Sequence, residues 1–357
     1  MTPMSQVMPP KDPAAGAEFS DDEIAEALAS VDLRIAELRQ TRAEWLERLA
    51  KNKVKNGLAD RSNEVNPAAK NQSNSQSYNQ PKSPIKTVFL GPLGTYTHDA
   101  ALQLYGTSMQ AMPVESFAEI FAAVENGSAD FGVAPIENST EGAVSQTHDL
   151  LIKSQVQICG EVRLRIRHCL MSQSAALSDV RVVYAHPQSL GQCRQWLNAN
   201  LPGVECVSES SNAAAADRAK QSEANEGVAA IASASAASRY GLRLISEGIE
   251  DISNNTTRFI VIGRDQPSPT GNDATSLLIS APHKPGGLRR MLQPLEDAGV
   301  SMTRIESRPA RTQMWEYVFF IDVTGHCKDP ELSSVLHQLE QESPLVRVLG
   351  SYPKAET

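Results

Sequence analysis

The order of hydrophobic and polar positions divides the chain into several parts, the first of which is a helix at 20–57. Beginning with Ile24 and Leu28, apolar side chains recur at alternating spacings of four and three, the heptad pattern of a coiled coil. Ser20 and Glu23 form a capping-box sequence at its start. Because one helix cannot bury such a stripe alone, we expect it to pair, most simply with its copy in a dimer.

The segments on either side of this helix carry no such pattern. Asn, Gln, Ser and Pro make up 16 of the 24 residues from 61 to 84, which leaves too little apolar area to offset the entropy lost on ordering. We therefore expect 58–84 to be a flexible linker. Residues 1–19 lack the apolar core of a secretory signal and are expected to be disordered.

Between residues 85 and 265, short apolar runs alternate with helical patterns. The predicted strands are 87–90, 131–134, 181–185, 228–231 and 259–262. The predicted helices lie near 98–105, 117–126, 142–153, 188–199, 213–220 and 234–240. Ser116 and Glu119 form a second capping box at one helix start. Such alternation predicts mostly parallel sheets with helices on their faces, and the length favours two α/β lobes.

A turn-rich break at 265–273 precedes the last part of the chain, 273–353. Its predicted strands are 275–280, 302–307, 317–323 and 346–351, and its predicted helices are 288–298 and 330–342. The resulting order, βαββαβ, is that of a ferredoxin-like unit.

Composition narrows the classes of function. Aromatic residues are only 5% of the chain, so the cores must be built from Ala, Val, Ile and Leu. No apolar run reaches the roughly 20 residues of a membrane span. Five cysteines without a CxxC pair favour a reducing cytoplasm over a disulfide framework or a zinc site. The net charge of −9 argues against nucleic-acid binding, but a local field still allows a small anionic ligand.

Two polar segments lie at predicted strand–helix junctions. GPLGTYTH at 91–98 places hydroxyls at a helix N-terminus, where anions bind, although an ordinary turn has the same features. PIENSTEG at 135–142 places two carboxylates, an amide and two hydroxyls after a strand, where α/β sheets bind ligands. The second segment also fits a plain helix start, and the two interpretations are compatible.

Two further segments carry polar groups beside apolar strands. HPQSLGQC at 186–193 aligns Gln188 and Gln192 on one helix face. Its His186 is of a type that can titrate near neutrality, but without a partner in the sequence it fits a structural histidine better. NNTTRF at 254–259 offers amides, hydroxyls and a guanidinium suited to carboxylates. The alternative there is an Asn-rich turn with Arg258 in a structural ion pair.

These four segments, in this order and spacing, resemble the catalytic domain of the prephenate dehydratase family. KPGGL at 284–288 and ESRP at 306–309 resemble that family's phenylalanine-sensing ACT domain, so the resemblance covers 87 to about 353. It implies a two-lobed, periplasmic-binding-protein-like α/β domain followed by a ferredoxin-like unit. It also implies a lyase of phenylalanine biosynthesis that converts prephenate to phenylpyruvate, CO₂ and water, without a metal or other cofactor, under inhibition by phenylalanine.

The resemblance also assigns roles to residues. The catalytic set it implies is Thr257, Arg258, Glu137 and Asn138, with the Thr257 hydroxyl as proton donor, polarised by Arg258 or through Glu137. The substrate-binding set is Thr95, Tyr96, Thr97, Ser139, Thr140, Gln192 and Phe259. The phenylalanine set is Gly286, Gly287, Leu288, Glu306, Ser307, Arg308 and Pro309. The chain departs from the family pattern at Ala185, where Ser is common, and at Gly287, where Ala is common.

The helix at 20–57 resembles the first helix of the chorismate mutase that many family members carry. Asp32, Arg42 and Lys53 keep the spacing of that motif, but Ala25 stands where the family has Arg, and the polar linker replaces the remaining helices. We therefore expect a degenerate remnant without mutase activity.

Several alternatives remain open at this point. The chain fits an arogenate dehydratase, a bifunctional mutase–dehydratase, or a non-catalytic two-lobed sensor. We expect a cytoplasmic homodimer or homotetramer with no nucleic-acid or membrane partner. Truncation after Gly263 is expected to leave an active enzyme that phenylalanine no longer inhibits.

Overall fold

The computed structural model describes residues 84–174, 176–281, 284–309 and 317–355. The predicted N-terminal helix at 20–57, segment 1–19 and the linker up to residue 83 lie outside these ranges. Within them, the chain forms two α/β lobes and a C-terminal unit that begins at Asp273.

The first lobe consists of strands and helices that largely alternate along the chain. Its elements are β1 (Lys86–Leu90), α1 (Tyr96–Tyr105), β2 (Gln110–Val114), α2 (Phe117–Glu125), β3 (Phe131–Asn138), β4 (Gly142–Ala143), α3 (Ser145–Lys153) and β5 (Gln157–Arg165). The Ser116 hydroxyl accepts the Glu119 backbone N–H at 3.3 Å, which confirms the predicted start of α2. Gly142 and Ala143, predicted as helical, instead form a short strand against β3.

The second lobe follows directly, and one strand then returns to the first lobe. Its elements are β6 (Cys169–Ser172), β7 (Val182–Ala185), α4 (Pro187–Gln192), α5 (Arg194–Asn200), β8 (Glu205–Ser208), α6 (Asn212–Gln221), β9 (Val228–Ala232), α7 (Ala234–Tyr240) and β10 (Arg243–Glu247). The returning strand is β11 (Thr256–Gly263). The helix predicted over 188–199 is two helices that meet at Cys193.

Both lobe sheets are mixed, which corrects the prediction of mostly parallel sheets. The first has the order β2-β1-β3-β11-β5 and the second β10-β6-β9-β7-β8. In the first, β1 is parallel to β2 and β3, while β11 is antiparallel to β3 and β5. Strand β5 leads the chain out of this lobe and its neighbour β11 leads it back, so the two must run in opposite directions.

The C-terminal unit confirms the predicted βαββαβ order. Its elements are β12 (Asp273–Ser280), α8 (Gly287–Asp297), β13 (Met302–Pro309), β14 (Tyr317–Thr324), α9 (Pro330–Glu342) and β15 (Leu345–Pro353). The strands form one antiparallel sheet in the order β13-β14-β12-β15.

Both faces of the C-terminal sheet are covered. One face packs on α8 and α9 through side chains such as Leu277 and Ile321. The other face contributes Leu278, Phe320 and Tyr352 to the core that also contains the first-lobe residues Ile158 and Ile260. The C-terminal unit is therefore joined to the first lobe by a shared hydrophobic core.

Two further features concern the cysteines and the helices. All five cysteines are unpaired thiols. Among the helices of the described ranges, none combines the length and the apolar character that crossing a membrane requires.

Candidate functional site

Strands β3 and β11 bring the PIENSTEG and NNTTRF segments side by side. In their antiparallel register, Thr257 lies opposite Asn138 and Arg258 lies opposite Glu137. Because successive side chains of a strand point to opposite faces, the two pairs must lie on opposite sides of the sheet. The structure shows the two pairs on opposite faces, so the four residues predicted as one catalytic set do not share a single site.

Asn138 is the centre of a buried cluster of polar side chains. Its amide nitrogen donates to the Thr257 hydroxyl at 2.8 Å and to the side-chain oxygen of Asn255 at 2.7 Å. Its own carbonyl oxygen accepts the backbone N–H groups of Thr140 and Glu141 at 2.9 and 3.0 Å. These bonds fix the orientation of the amide, so the nitrogen must face Thr257.

The environment of Thr257 determines what its hydroxyl does. The side chain is 8% exposed, and its oxygen accepts a hydrogen bond from Asn138. That bond leaves the hydroxyl proton available to a third group. An amide donor also stabilises negative charge that develops on the oxygen when the proton leaves.

A chain of hydrogen bonds continues from this cluster into the second lobe. The Asn255 amide donates to the side-chain oxygen of Gln192 at 3.3 Å, and the same oxygen lies 2.9 Å from Nε2 of His168. The other ring nitrogen of His168 lies 2.9 Å from the Tyr96 hydroxyl, which belongs to the first lobe. The cluster therefore lies where the two lobes meet.

His168 occupies this chain as a neutral imidazole. Burial lowers the pKa of His168 below its ordinary value of about 6.5, although the Gln192 hydrogen bond and the charge of Glu250 act in the opposite direction. With the Gln192 oxygen facing Nε2, that nitrogen carries the proton. Nδ1 lies 2.9 Å from the Tyr96 hydroxyl, which donates to the Arg167 carbonyl at 2.8 Å. Burial also raises the pKa of the Tyr96 phenol, which keeps its proton.

The remaining predicted substrate residues fall into two groups. Ser139 and Thr140 are exposed beside Asn138, and the Thr140 hydroxyl donates to the Asn138 oxygen at 2.5 Å. Thr95 caps α1, since its hydroxyl accepts the His98 N–H at 3.3 Å and donates to the Leu90 carbonyl. Thr97 is buried in the first turn of that helix.

Phe259 does not lie in this polar cluster. It is 2% exposed and packs with Phe89, Val133 and Val162 in a hydrophobic core of the first lobe. Its expected contact with substrate is therefore corrected to a role in the core beneath the site.

Glu137 and Arg258 lie on the opposite face from Thr257, against the C-terminal unit. Arg258 is 7% exposed and its Nε lies 2.6 Å from a Glu161 oxygen; Glu137 pairs with Arg304 of β13. Neither group faces the Thr257 hydroxyl, so the expectation that they polarise it directly is corrected. The alternative of a structural ion pair for Arg258 matches its contacts.

The segments expected to bind phenylalanine lie at the start of α8 and on β13. Gly286 precedes α8 with φ of 75°, a conformation that favours glycine. Glu306, Ser307, Arg308 and Pro309 end β13, the edge strand of the sheet. Arg308 donates to the Ser145 hydroxyl at 2.7 Å and to Asp149 at 3.0 Å, both on α3.

Three members of the cluster were absent from the predicted set. Asn255 lies within the NNTTRF segment and Glu141 within PIENSTEG. Pairing β3 with β11 would have placed Asn255 next to Asn138 and so predicted it as a member of the cluster. Glu141 accepts the Gln192 amide at 3.4 Å. His168 has no signal in the sequence, because its partners are 24 and 72 residues away. His186, for which a structural role was favoured, caps α4.

Comparison with known proteins gives two matching families. A model described as prephenate dehydratase matches residues 87–267, and one described as an ACT domain matches residues 275–341. A bifunctional chorismate mutase/prephenate dehydratase of Pseudomonas aeruginosa is 47% identical over 275 residues, covering 77% of this chain and 74% of that protein.

Solved structures give two close likenesses. Prephenate dehydratase in complex with L-Phe from Arthrobacter aurescens is 34% identical with a TM-score of 0.69, over 75% of this chain and 90% of that chain. A structure described as GqqA, a novel type of quorum quenching acylase, is 33% identical with a TM-score of 0.69, over 75% of this chain and 97% of that chain.

Proposed function

The chain belongs to the prephenate dehydratase family, and we propose that Thr257, oriented by Asn138, donates the proton that its reaction requires. The enzyme converts prephenate to phenylpyruvate, CO₂ and water. The bond from the ring to the departing carboxylate breaks, and its electron pair completes the aromatic ring as the hydroxyl on the opposite carbon leaves. That hydroxyl needs one proton to leave as water.

The observation that carries this proposal is the 2.8 Å hydrogen bond from the Asn138 amide to the Thr257 oxygen. A free threonine hydroxyl is a weak acid, so it must be polarised to act as a donor. The amide supplies that polarisation, because the bond strengthens as negative charge grows on the oxygen. Solvent returns the proton to Thr257 after the products leave.

The neighbouring side chains suit a substrate with two carboxylates. The hydroxyls of Ser139 and Thr140 are exposed next to Asn138, and Gln192 approaches from the second lobe. We assign Ser139 and Gln192 as hydrogen-bond donors to prephenate, and Thr140 as a third donor once its hydroxyl turns from the Asn138 oxygen. Tyr96 and His168 act behind them by holding Gln192 in place.

The C-terminal unit is an ACT domain, and we assign it the binding of phenylalanine as inhibitor. The L-Phe complex of a dehydratase at 34% identity supports this assignment. Gly286 leaves the first turn of α8 without a side-chain cap, so backbone N–H groups there can meet a carboxylate. Gly287 and Leu288 continue this turn, and 306–309 complete the proposed site.

A homodimer or homotetramer is the assembly we propose. Five large apolar side chains of the ACT domain are at least 38% exposed: Leu288, Met302, Ile305, Tyr317 and Leu345. Burial of such side chains between copies would stabilise an assembly. We place the enzyme in the cytoplasm, in agreement with its five unpaired thiols.

The decisive experiment offers the full chain chorismate, prephenate and arogenate separately and follows the products. We expect prephenate to give phenylpyruvate and chorismate to remain unchanged, since the mutase motif at 20–57 lacks its Arg. Turnover of arogenate but not of prephenate would favour the arogenate dehydratase, and binding without turnover would favour the sensor.

Thr257→Ala tests the proton donor. We expect kcat to fall by about 10²–10⁴-fold, the usual contribution of a positioned acid. Thr256→Ala is the matched control, because that adjacent threonine lies on the other face of β11 and should keep the wild-type kcat. An unchanged kcat in a folded Thr257→Ala protein would remove Thr257 from the mechanism.

A further inference from the structure

The guanidinium of Arg258 joins the strand of Thr257 to the ACT domain. Its Nε lies 2.6 Å from Glu161 on β5, and its two terminal nitrogens lie 2.8 Å from an Asp322 oxygen and 2.9 Å from the Tyr352 hydroxyl. Burial by itself lowers the pKa of Arg258, but the carboxylates of Asp322 and Glu161 raise it overall. The charge is therefore fixed, and two of its three partners belong to the ACT domain.

The strand of Asn138 has a second connection of the same kind. Glu137, the residue before Asn138, forms an ion pair with Arg304 on β13. Arg304 also lies 3.9 Å from Asp322, the partner of Arg258. Each of the two proposed catalytic side chains thus has a neighbour in sequence that is ion-paired with the ACT domain.

Strand β13 carries both Arg304 and the segment 306–309 that we assign to phenylalanine. Arg304, Glu306 and Arg308 alternate along the strand and are half-buried, while the residues between them are exposed. Arg308 lies 3.0 Å from Asp149 on α3. A displacement of β13 by its ligand would therefore act directly on the Glu137–Arg304 pair.

The contact between β13 and the first lobe has room for such a displacement. A cavity of about 120 Å³ lies there. Its charged lining residues are Glu137, Arg258, Arg304, Glu306 and Asp322. Close-packed interiors resist displacement, but ion pairs beside a cavity can exchange partners without repacking the hydrophobic core.

We propose that Glu137 and Arg258 are positioning residues through which the ACT domain holds Asn138 and Thr257 in register for proton donation. This inference rests on the proposed function of Thr257 and of segment 306–309. The Glu137–Arg304 pair, with side chains 33% and 32% exposed, is the weaker connection. The Arg258–Asp322 pair, with side chains 8% and 13% exposed, is the stronger one. Phenylalanine acts by opening the weaker pair.

The test is Arg304→Gln in the full chain, with prephenate turnover and phenylalanine inhibition measured together. We expect kcat to fall at least about fivefold and the phenylalanine concentration for half-inhibition to rise by a similar factor, the range of ordinary coupling between sites. KM should stay within about twofold, because uniform substrate binding is not altered. Calorimetry should show that phenylalanine still binds. Glu137→Gln should reproduce this profile, and Arg304→Lys should largely restore the wild type.

Arg347→Gln is the matched control. Arg347 also crosses from the ACT domain to the first lobe, but it donates to the carbonyls of Leu151 and Ile152 at the end of α3. Its loss should leave kcat and the phenylalanine response as in the wild type.

Three other outcomes would contradict the inference, and each would contradict a different part of it. Wild-type kcat and inhibition in Arg304→Gln would overturn the coupling alone. Loss of phenylalanine binding in that variant would instead place Arg304 in the effector site. A wild-type chain that does not turn over prephenate would overturn the proposed function, and this inference with it.

Discussion

Asn138 shows how a single amide organises a site. Its nitrogen can donate two hydrogen bonds and its oxygen can accept several. The structure uses them on Thr257 of β11, on Asn255 just before that strand, and on the turn after β3. Because every bond is directional, the amide has one orientation only. The pairing of β3 with β11 therefore fixes the Thr257 oxygen as the acceptor of the Asn138 amide.

Buried histidines make the stability of the fold depend on pH. Burial lowers the pKa of His98, His148 and His168 in the folded chain. Below about pH 6.5 these histidines bind protons in the unfolded chain that they do not bind in the folded chain, so their contribution lowers the free energy of unfolding as the pH is lowered. We expect urea unfolding to show lower stability at pH 5.5 than at pH 7.5, an interval above the ordinary range of carboxyl groups.

A substitution at His168 measures how much this residue contributes to the pH dependence of stability. His168→Gln should reduce the difference in unfolding free energy between the two pH values. His337→Gln, at an exposed side chain of α9, should leave the difference unchanged. Equal pH dependence in all three proteins would contradict the argument.

At the scale of elements, all five strands predicted for the two lobes are present, but β2, β5, β6, β8 and β10 were not predicted, and two of the predicted strands were too short. The prediction placed strands at 131–134 and 259–262, whereas β3 ends at Asn138 and β11 begins at Thr256. Polar residues at these ends concealed the strands. Had the predicted strands included these polar residues, the alternation of side chains would have placed Thr257 and Arg258 on opposite faces of the sheet, and likewise Asn138 and Glu137. The partners of Arg258, by contrast, depend on docking that no local pattern records.

The contact between β15 and β5 also depends on one glycine. A Cβ added at Gly350 would overlap the backbone carbonyl of Ile158. Gly350→Ala should therefore push the ACT domain away from β5 and lower the stability by about 1–3 kcal/mol, as overpacking usually does. A thermal unfolding measurement would show this as a lower Tm.

Gly160→Ala is the control for that variant. A Cβ at Gly160, on the same strand β5, would lie 3.4 Å from the Val261 side chain, an ordinary contact. Its Tm should stay close to that of the wild type. A Gly350→Ala protein with an unchanged Tm would show that the two strands are less closely packed than described.

At the scale of the whole molecule, the ACT domain is part of the catalytic body rather than an appended sensor. Leu278, Phe320 and Tyr352 complete the core around Ile158 and Ile260. The sequence shows the boundary at 265–273 clearly, and a boundary suggests a separable unit. The continuous apolar run Leu277–Ile279 on β12 indicates burial on both faces, but no local pattern records which element covers the second face.

This arrangement changes the expected result of removing the ACT domain. Truncation after Gly263 takes away Asp322 and Tyr352, so Arg258 and Glu161 lose part of their network, and it exposes the apolar surface around Ile158. We therefore expect the truncated chain to have a lower Tm and a lower kcat, rather than to be a fully active enzyme that ignores phenylalanine. Thermal unfolding and initial rates with prephenate, compared with the full chain, check this expectation. A truncated chain with the wild-type Tm and kcat would show that the catalytic lobes position Asn138 and Thr257 without help from the ACT domain.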